Sequence, residues 1–349
     1  MNIRQTEDLS QTSPSGLRIQ QFCEKKGLRL KTVNIYASPF SDAGLHFITP
    51  KDVPTPKEGE PEASRMVLYC HGGGYHNPIL ENGHIPFALD IAAASKSHEL
   101  VMLEYSLAPE HPYPCQLVQG IAALLYLLEK KKVPARDIVL AGDSAGAHLI
   151  LGLLAHIVSP APFAPPINFE TQEPFCAAIL VSPWVSMRGE EPSIRANERD
   201  DYISKERLLE FVDYLDGDPE DIWFNPWEGP DAKIIWDRVI PPKNILVTTT
   251  WKPKPLANTL LVTVGTSEIL LDSILQFSEQ FLKCESLEID TKDDTRQLKD
   301  RKTEDRTTSN TATLAVVSGE VHVQPGLDHA VRYRKGLMAR AVRRFLEGV

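Results

Sequence analysis

The 349-residue chain is poor in cysteine. Its five, Cys23, Cys70, Cys115, Cys176 and Cys284, are odd in number, scattered, and form no CxxC pair. That pattern excludes a disulfide framework and predicts a reduced, cytoplasmic setting. Positive charge is also short: 37 Lys and Arg against 47 Asp and Glu leave a net charge of -10. A nucleic-acid surface would need clustered cations, so no nucleic acid is expected as a partner. Long apolar runs are missing too. The most apolar stretch, LILGLLAHIV at 149–158, is too short to cross a bilayer and carries His156. The N-terminal MNIRQTEDLSQTSPSG has no apolar region of the kind a signal peptide needs. No HExxH and no carboxylate–histidine spacing suggests a metal, and no cofactor is expected. Internal repeats are absent. What remains is a chain that is 42% hydrophobic, ample for a large core.

Short apolar runs alternate with helical patterns. MVLYC (66–70), the start of ELVMLEYSLAPEHPYP (99–114), DIVLAG (137–142), AAILVSPWV (177–185), NTLLVTVG (258–265) and TLAVVSGEV (313–321) read as buried strands; NILVTTT (244–250) is strand-like but has no clear place. QLVQGIAALLYLLEKKK (116–132), AGAHLILGLLAHIV (145–158), SILQFSEQFLKC (273–284) and AVRYRKGLMARAVRRFLEGV (330–349) read as helices. This alternation predicts an α/β fold with a mostly parallel sheet covered on both faces. The rhythm breaks at 190–237, where SKERLLEFVDYL spaces Leu208, Phe211, Val212 and Leu215 as one face of an inserted helix. Residues 51–64 read as a Pro- and charge-rich loop. Residues 285–311, charged and hydroxyl-rich, predict a flexible surface loop.

Two glycine-rich stretches carry the chemistry. GDSAG (142–146) matches G-x-S-x-G between a predicted strand and a predicted helix. A serine there can simply cap a helix. In this context, however, the sharp turn projects Ser144 above the sheet, while the Ala145 amide points into the same space from the helix N-terminus. HGGGY (71–75) follows another strand. Glycines let backbone amides approach a ligand without side chains in the way, and fixed amides stabilise the oxyanion formed when a carbonyl is attacked. Gly72 and Gly73 on one side, and Ala145 on the other, are the candidate donors.

HGGGY, YSLAPEHPYP (105–114) and GDSAG, in that order and spacing, resemble the hormone-sensitive-lipase-like group of α/β-hydrolases. The resemblance covers about residues 65–349, and GEVHVQP and SPWVS (182–186) are closest in wording to its fungal members. It implies an α/β-hydrolase fold with a helical lid: an N-terminal lid segment and edge strand at 1–45, core at 46–189, inserted lid at 190–237, and core again at 238–349. The group often has Arg where Ser106 stands and Gly where Ala147 stands.

A serine nucleophile needs a base, and the base an orienting acid, in the chain order Ser, acid, His. The group's G-x-x-D-x-L-x-D pattern falls on Gly265, Glu268, Leu270 and Asp272, so Glu268 takes the place of the usual Asp, with Asp272 as the alternative. Its G-x-x-H pattern falls on Gly319 and His322. His329 in GLDHAV is the competing base; placed at the start of the terminal helix, it would meet a dipole that disfavours the imidazolium. His71 is expected to orient the oxyanion loop, and His148 and His156 to be packed.

The resemblance implies a serine hydrolase acting on a small-molecule acyl substrate: a short-to-medium acyl ester, a lactone or a thioester. Two alternatives stay open. One is a biosynthetic enzyme of secondary metabolism that releases, transfers or condenses a polyketide or peptide-like chain. The other is a non-catalytic small-molecule receptor. The acyl group and a homodimeric state are left open by the sequence.

Overall fold

The computed structural model describes residues 14–50, 65–169, 172–227, 229, 231–240, 255–300 and 311–349. In chain order the elements are α1 (Pro14–Lys26), β1 (Arg29–Ile35), β2 (Ala43–Thr49), β3 (Met66–Cys70), α2 (His84–Ala94), β4 (Glu99–Glu104), α3 (Cys115–Leu125), β5 (Ile138–Asp143), α4 (Ala145–Val158) and β6 (Ala177–Val181). They continue with α5 (Pro192–Ala196), α6 (Lys205–Leu215), α7 (Ala232–Val239), β7 (Thr259–Gly265), α8 (Leu271–Gln280), β8 (Glu285–Ile289), α9 (Gln297–Asp300), β9 (Thr311–Val317), α10 (Gln324–Ala330) and α11 (Leu337–Leu346).

The nine strands form one sheet in the order β1-β2-β4-β3-β5-β6-β7-β9-β8. β1 and β2, and β2 and β4, pair antiparallel; every other pair is parallel. The uninterrupted apolar runs follow from burial on both faces. Leu68, Leu140 and Leu180 face a layer built from α3, α4, α6, α7 and α8, whereas Val67, Tyr69, Val139 and Ile179 face α1, α2, α9 and α11.

Two expectations change in detail. Residues 285–300 are not the loop that their charge suggested. Every second side chain of β8 is buried, Leu287 and Ile289, and β8 pairs with β9, while Leu298 of α9 packs on the α11 side of the sheet. A half-buried edge strand needs only two inward apolar residues, too few to register in composition. Residues 301–310 of that stretch, and the strand-like NILVTTT, lie outside the described residues. The terminal helix, expected over 330–349, is shorter: Ala330 is the last residue of α10, and α11 begins only at Leu337 after Gly336. Of the N-terminal segment, α1 turns Ile19, Phe22 and Cys23 into the second face of the core, and β1 is the antiparallel edge.

Candidate active site

Parallel strands leave a crevice at their carboxyl ends, where loops from neighbouring strands meet. β5 ends at Asp143, and α4 begins at Ala145, so one residue makes the turn. That residue, Ser144, has φ 50° and ψ -120°, a conformation that costs a non-glycine residue about 1–3 kcal/mol. Its amide donates to Val181 O of the adjacent strand at 2.9 Å, and its carbonyl accepts from the His148 amide at 3.0 Å. The turn is tight enough to require both motif glycines. A Cβ on Gly142 would lie 2.6 Å from the Gly146 carbonyl, and one on Gly146 would lie 1.9 Å from the Cys70 carbonyl oxygen of β3.

Two further loops close on this serine. Ser144 Oγ donates to His322 Nε2 at 2.8 Å, and His322 Nδ1 donates to Glu268 Oε2 at 2.9 Å. His322 follows β9 and Glu268 follows β7, so strand order alone brings together residues 178 and 54 positions apart. The other carboxylate oxygen, Oε1, accepts from the Gly265 amide at 2.5 Å and from Ser182 Oγ at 3.1 Å. Glu268 and His322 are both fully buried. Burial pushes the Glu268 carboxyl up, opposed by the His322 hydrogen bond. Burial alone would lower the His322 imidazole, but the Glu268 carboxylate outweighs it, with Asp201 and Asp143 adding in the same sense, and His322 is raised above its ordinary value.

The glycine loop lies against the elbow. A Cβ on Gly72 would sit 3.1 Å from Ser144 Cβ, and Gly73 has φ 112°, open only to glycine. Among the described residues, no hydrogen-bond partner within the protein takes the amides of Gly72, Gly73 or Ala145. His71 does orient this loop: its Nδ1 donates to Gly72 O at 2.6 Å, its ring stacks on Tyr105 at 4.5 Å, and burial holds its imidazole neutral with a pKa of about 3. Asp143, buried beneath the elbow, accepts from Tyr69 OH at 2.5 Å and pairs with His84 Nε2 at 3.3 Å. The departure at Ser106 is absorbed locally, since Gln119 Nε2 donates to Ser106 Oγ at 2.7 Å.

The alternatives fall elsewhere. Asp272 Oδ2 accepts from the Ser193 amide at 2.8 Å, and among the described residues it makes no hydrogen bond or ion pair with a histidine. His329 lies 3.1 Å from Asp90 Oδ2, at the C-terminal end of α10 rather than at the start of the terminal helix. The dipole reason for setting it aside therefore does not apply; what separates it from the elbow is its pairing with Asp90, while His322 is the histidine that meets Ser144 Oγ. His148 and His156 are packed, with Nε2 donating to Phe224 O and Pro165 O respectively. Sequence reasoning missed Ser182, Asn197 and Asp201. Ser182 stands in the SPWVS stretch already noted; Asn197 and Asp201 stand in polar NERDD, which carries no periodic signal.

A family model described as the alpha/beta hydrolase fold matches residues 67–286. Curated relatives include an esterase of Acinetobacter venetianus, 26% identical over 227 residues, which are 64% of this chain and 63% of that one. An acetyl-hydrolase of Streptomyces hygroscopicus is 28% identical over 228 residues, 63% of this chain and 62% of the relative. The chain thus matches just under two thirds of the length of either. Among solved structures, carboxyl esterase 2 of the mycorrhizal fungus Tuber melanosporum superposes with TM-score 0.65 at 14% identity, over 92% of this chain and 87% of that one.

Proposed function

This chain belongs to the alpha/beta hydrolase fold family, and from that premise we infer that it hydrolyses carboxylic esters through Ser144, His322 and Glu268. The reading rests on one observation, the unbroken hydrogen-bond chain from Ser144 Oγ through His322 to Glu268 above a strained elbow. The matches to an esterase and an acetyl-hydrolase support it.

His322 takes the proton of Ser144 as the serine oxygen attacks the ester carbonyl. The carbonyl oxygen becomes an oxyanion that the Gly72, Gly73 and Ala145 amides receive, backbone donors fixed by the loop and the helix start. His322 then gives its proton to the leaving alcohol, and an acyl-enzyme remains. Water attacks that ester by the same route in reverse, releasing the acid. Glu268 holds the Nδ1–H tautomer and stabilises the imidazolium; it does not itself take the proton. The inserted segment is the lid: Phe211 of α6 occupies the space that a Cβ on Gly74 would enter, so α6 seats directly on the glycine loop.

p-Nitrophenyl acetate and butyrate should be turned over by the wild-type protein, and a fluorophosphonate probe should label Ser144 with one equivalent. Absence of both turnover and labelling sinks the reading. The pH profile is a second check. The base works only when neutral, so kcat/KM should fall on the acid side along a limb centred above the ordinary imidazole value of 6.5. Glu268→Gln removes the charge that holds the proton on His322. The limb should therefore move to lower pH, and kcat should fall by about ten-thousand-fold. A limb that stays in place argues that Glu268 does not act through His322.

A further inference from the structure

The acid and the base stand on separate loops, and the backbone of each ends on the same carboxylate. Asp201 lies in the turn after α5, its amide donating to Asn197 O at 2.9 Å. Its Oδ2 accepts from the Ile269 amide at 2.8 Å, the residue directly after Glu268. Its Oδ1 accepts from the amide of His322 itself at 3.3 Å and from that of Tyr202 at 2.8 Å. Bonds from backbone amides to a carboxylate are charge-assisted and are stronger than neutral ones.

Two neighbours strengthen the attachment on one side only. Asn197 Nδ2 donates to Thr266 O at 3.0 Å and to Glu268 O at 2.8 Å. Ser193 Oγ donates to Ile269 O at 2.8 Å and accepts from the Asp272 amide at 3.1 Å. Both side chains tie the inserted segment to the acid loop, yet neither reaches the base. Asp201 spans the two loops with one rigid three-atom carboxylate, across 68 residues to Ile269 and 121 to His322.

We propose that Asp201 is a positioning residue, contributed by the inserted segment, that sets the spacing of the Glu268 and His322 loops and so aligns the base with Ser144. This rests on the serine-hydrolase reading above. Misplacing a reacting group by about 1 Å can cost about a hundredfold in rate, which is the scale of effect expected from losing such a tie. Its anionic charge also acts on His322. The groups facing that ring are Glu268 from the loop after β7, Asp143 and Ser144 from the elbow, and Asp201 and Tyr202 from the inserted segment, the Tyr202 ring lying 6.0 Å away. Asp201 favours the imidazolium, so neutralising it lets the proton leave at lower pH.

Asp201→Asn and Asp201→Ala, with the exposed neighbour Asp200→Asn as a charge control, test this by two readouts in the intact protein. NMR titration of the His322 imidazole should show a lower midpoint in both Asp201 variants and none of that change in Asp200→Asn. Turnover of p-nitrophenyl acetate should fall by about 10- to 100-fold in kcat for Asp201→Ala, with KM within about twofold. Asp201→Asn keeps one acceptor oxygen for His322 and Tyr202 and should retain more activity. An unmoved His322 titration, or wild-type kcat in Asp201→Ala, overturns the proposal. So does a fall in melting temperature with titration and kcat unchanged, which marks a merely structural tie. Missing turnover in the wild type itself would sink the hydrolase reading, and the NMR titration then judges Asp201 by itself.

Discussion

Ser144→Ala should lower kcat for p-nitrophenyl butyrate by about a million-fold and abolish labelling by a fluorophosphonate, with KM little changed. The size follows from the covalent route. Without the serine oxygen no acyl-enzyme forms, and His322 and Glu268 have no proton to move. What survives is binding and the glycine-loop amides, worth about a thousand- to ten-thousand-fold over water. The same logic predicts non-additivity. Ser144→Ala combined with His322→Ala should lose little beyond the single serine change, because the two residues act as one unit joined at 2.8 Å. Folding should be preserved, since alanine at 144 keeps the amide bond to Val181 O. A variant that keeps wild-type turnover, or a double variant that multiplies the two losses, would show that the chemistry runs through other groups.

The second large effect is on stability. Gly146→Ala adds a single methyl group, and that methyl would lie 1.9 Å from the Cys70 carbonyl oxygen and 2.7 Å from that of His71. Both are backbone atoms at the end of a central strand, so neither can swing aside as a side chain would. α4 would have to lift from the sheet, opening its contacts with β3, β5 and β6. The expected loss is about 3 kcal/mol or more, enough to leave little soluble protein at 37 °C. Gly120→Ala is the contrast: its methyl would meet Leu149 Cδ1 and Leu153 Cδ2 at 3.3 Å, both movable, in a helix where alanine is favoured by about 1 kcal/mol. Thermal melts followed by circular dichroism should show Gly120→Ala near the wild type and Gly146→Ala far below it. Equal melting temperatures would mean that α4 does not seat against β3 as closely as described.

How much could be read beforehand divides along a physical line. Strands β3, β5, β6 and β7 were legible because burial on both faces forces continuous apolar runs. β8 was not, because an edge strand half open to solvent needs only Leu287 and Ile289 inside. The late start of α11 hid in one stretch with helical spacing; Gly336, with φ -53° and ψ 137°, is its extended first cap. At the site, Gly142 and Gly146 were legible because steric limits on backbone leave only one residue type, and such limits act over a few positions. Ser144, His322 and Glu268 were candidates through the motif order of the resemblance rather than through local sterics.

The sequence by itself pointed to the α/β architecture, the elbow and the glycine loop, because local sterics and two-sided burial write themselves into short stretches; the candidates at the loop ends came from the resemblance. Only the tertiary structure decided how those residues meet. It set Glu268 rather than Asp272 against His322, paired His329 with Asp90 on α2, and put Asp201 between two loops that lie far from it in sequence. A polar side chain on a loop has no periodicity to betray its partner; which amide it accepts from depends on where the carboxyl ends of separate strands converge.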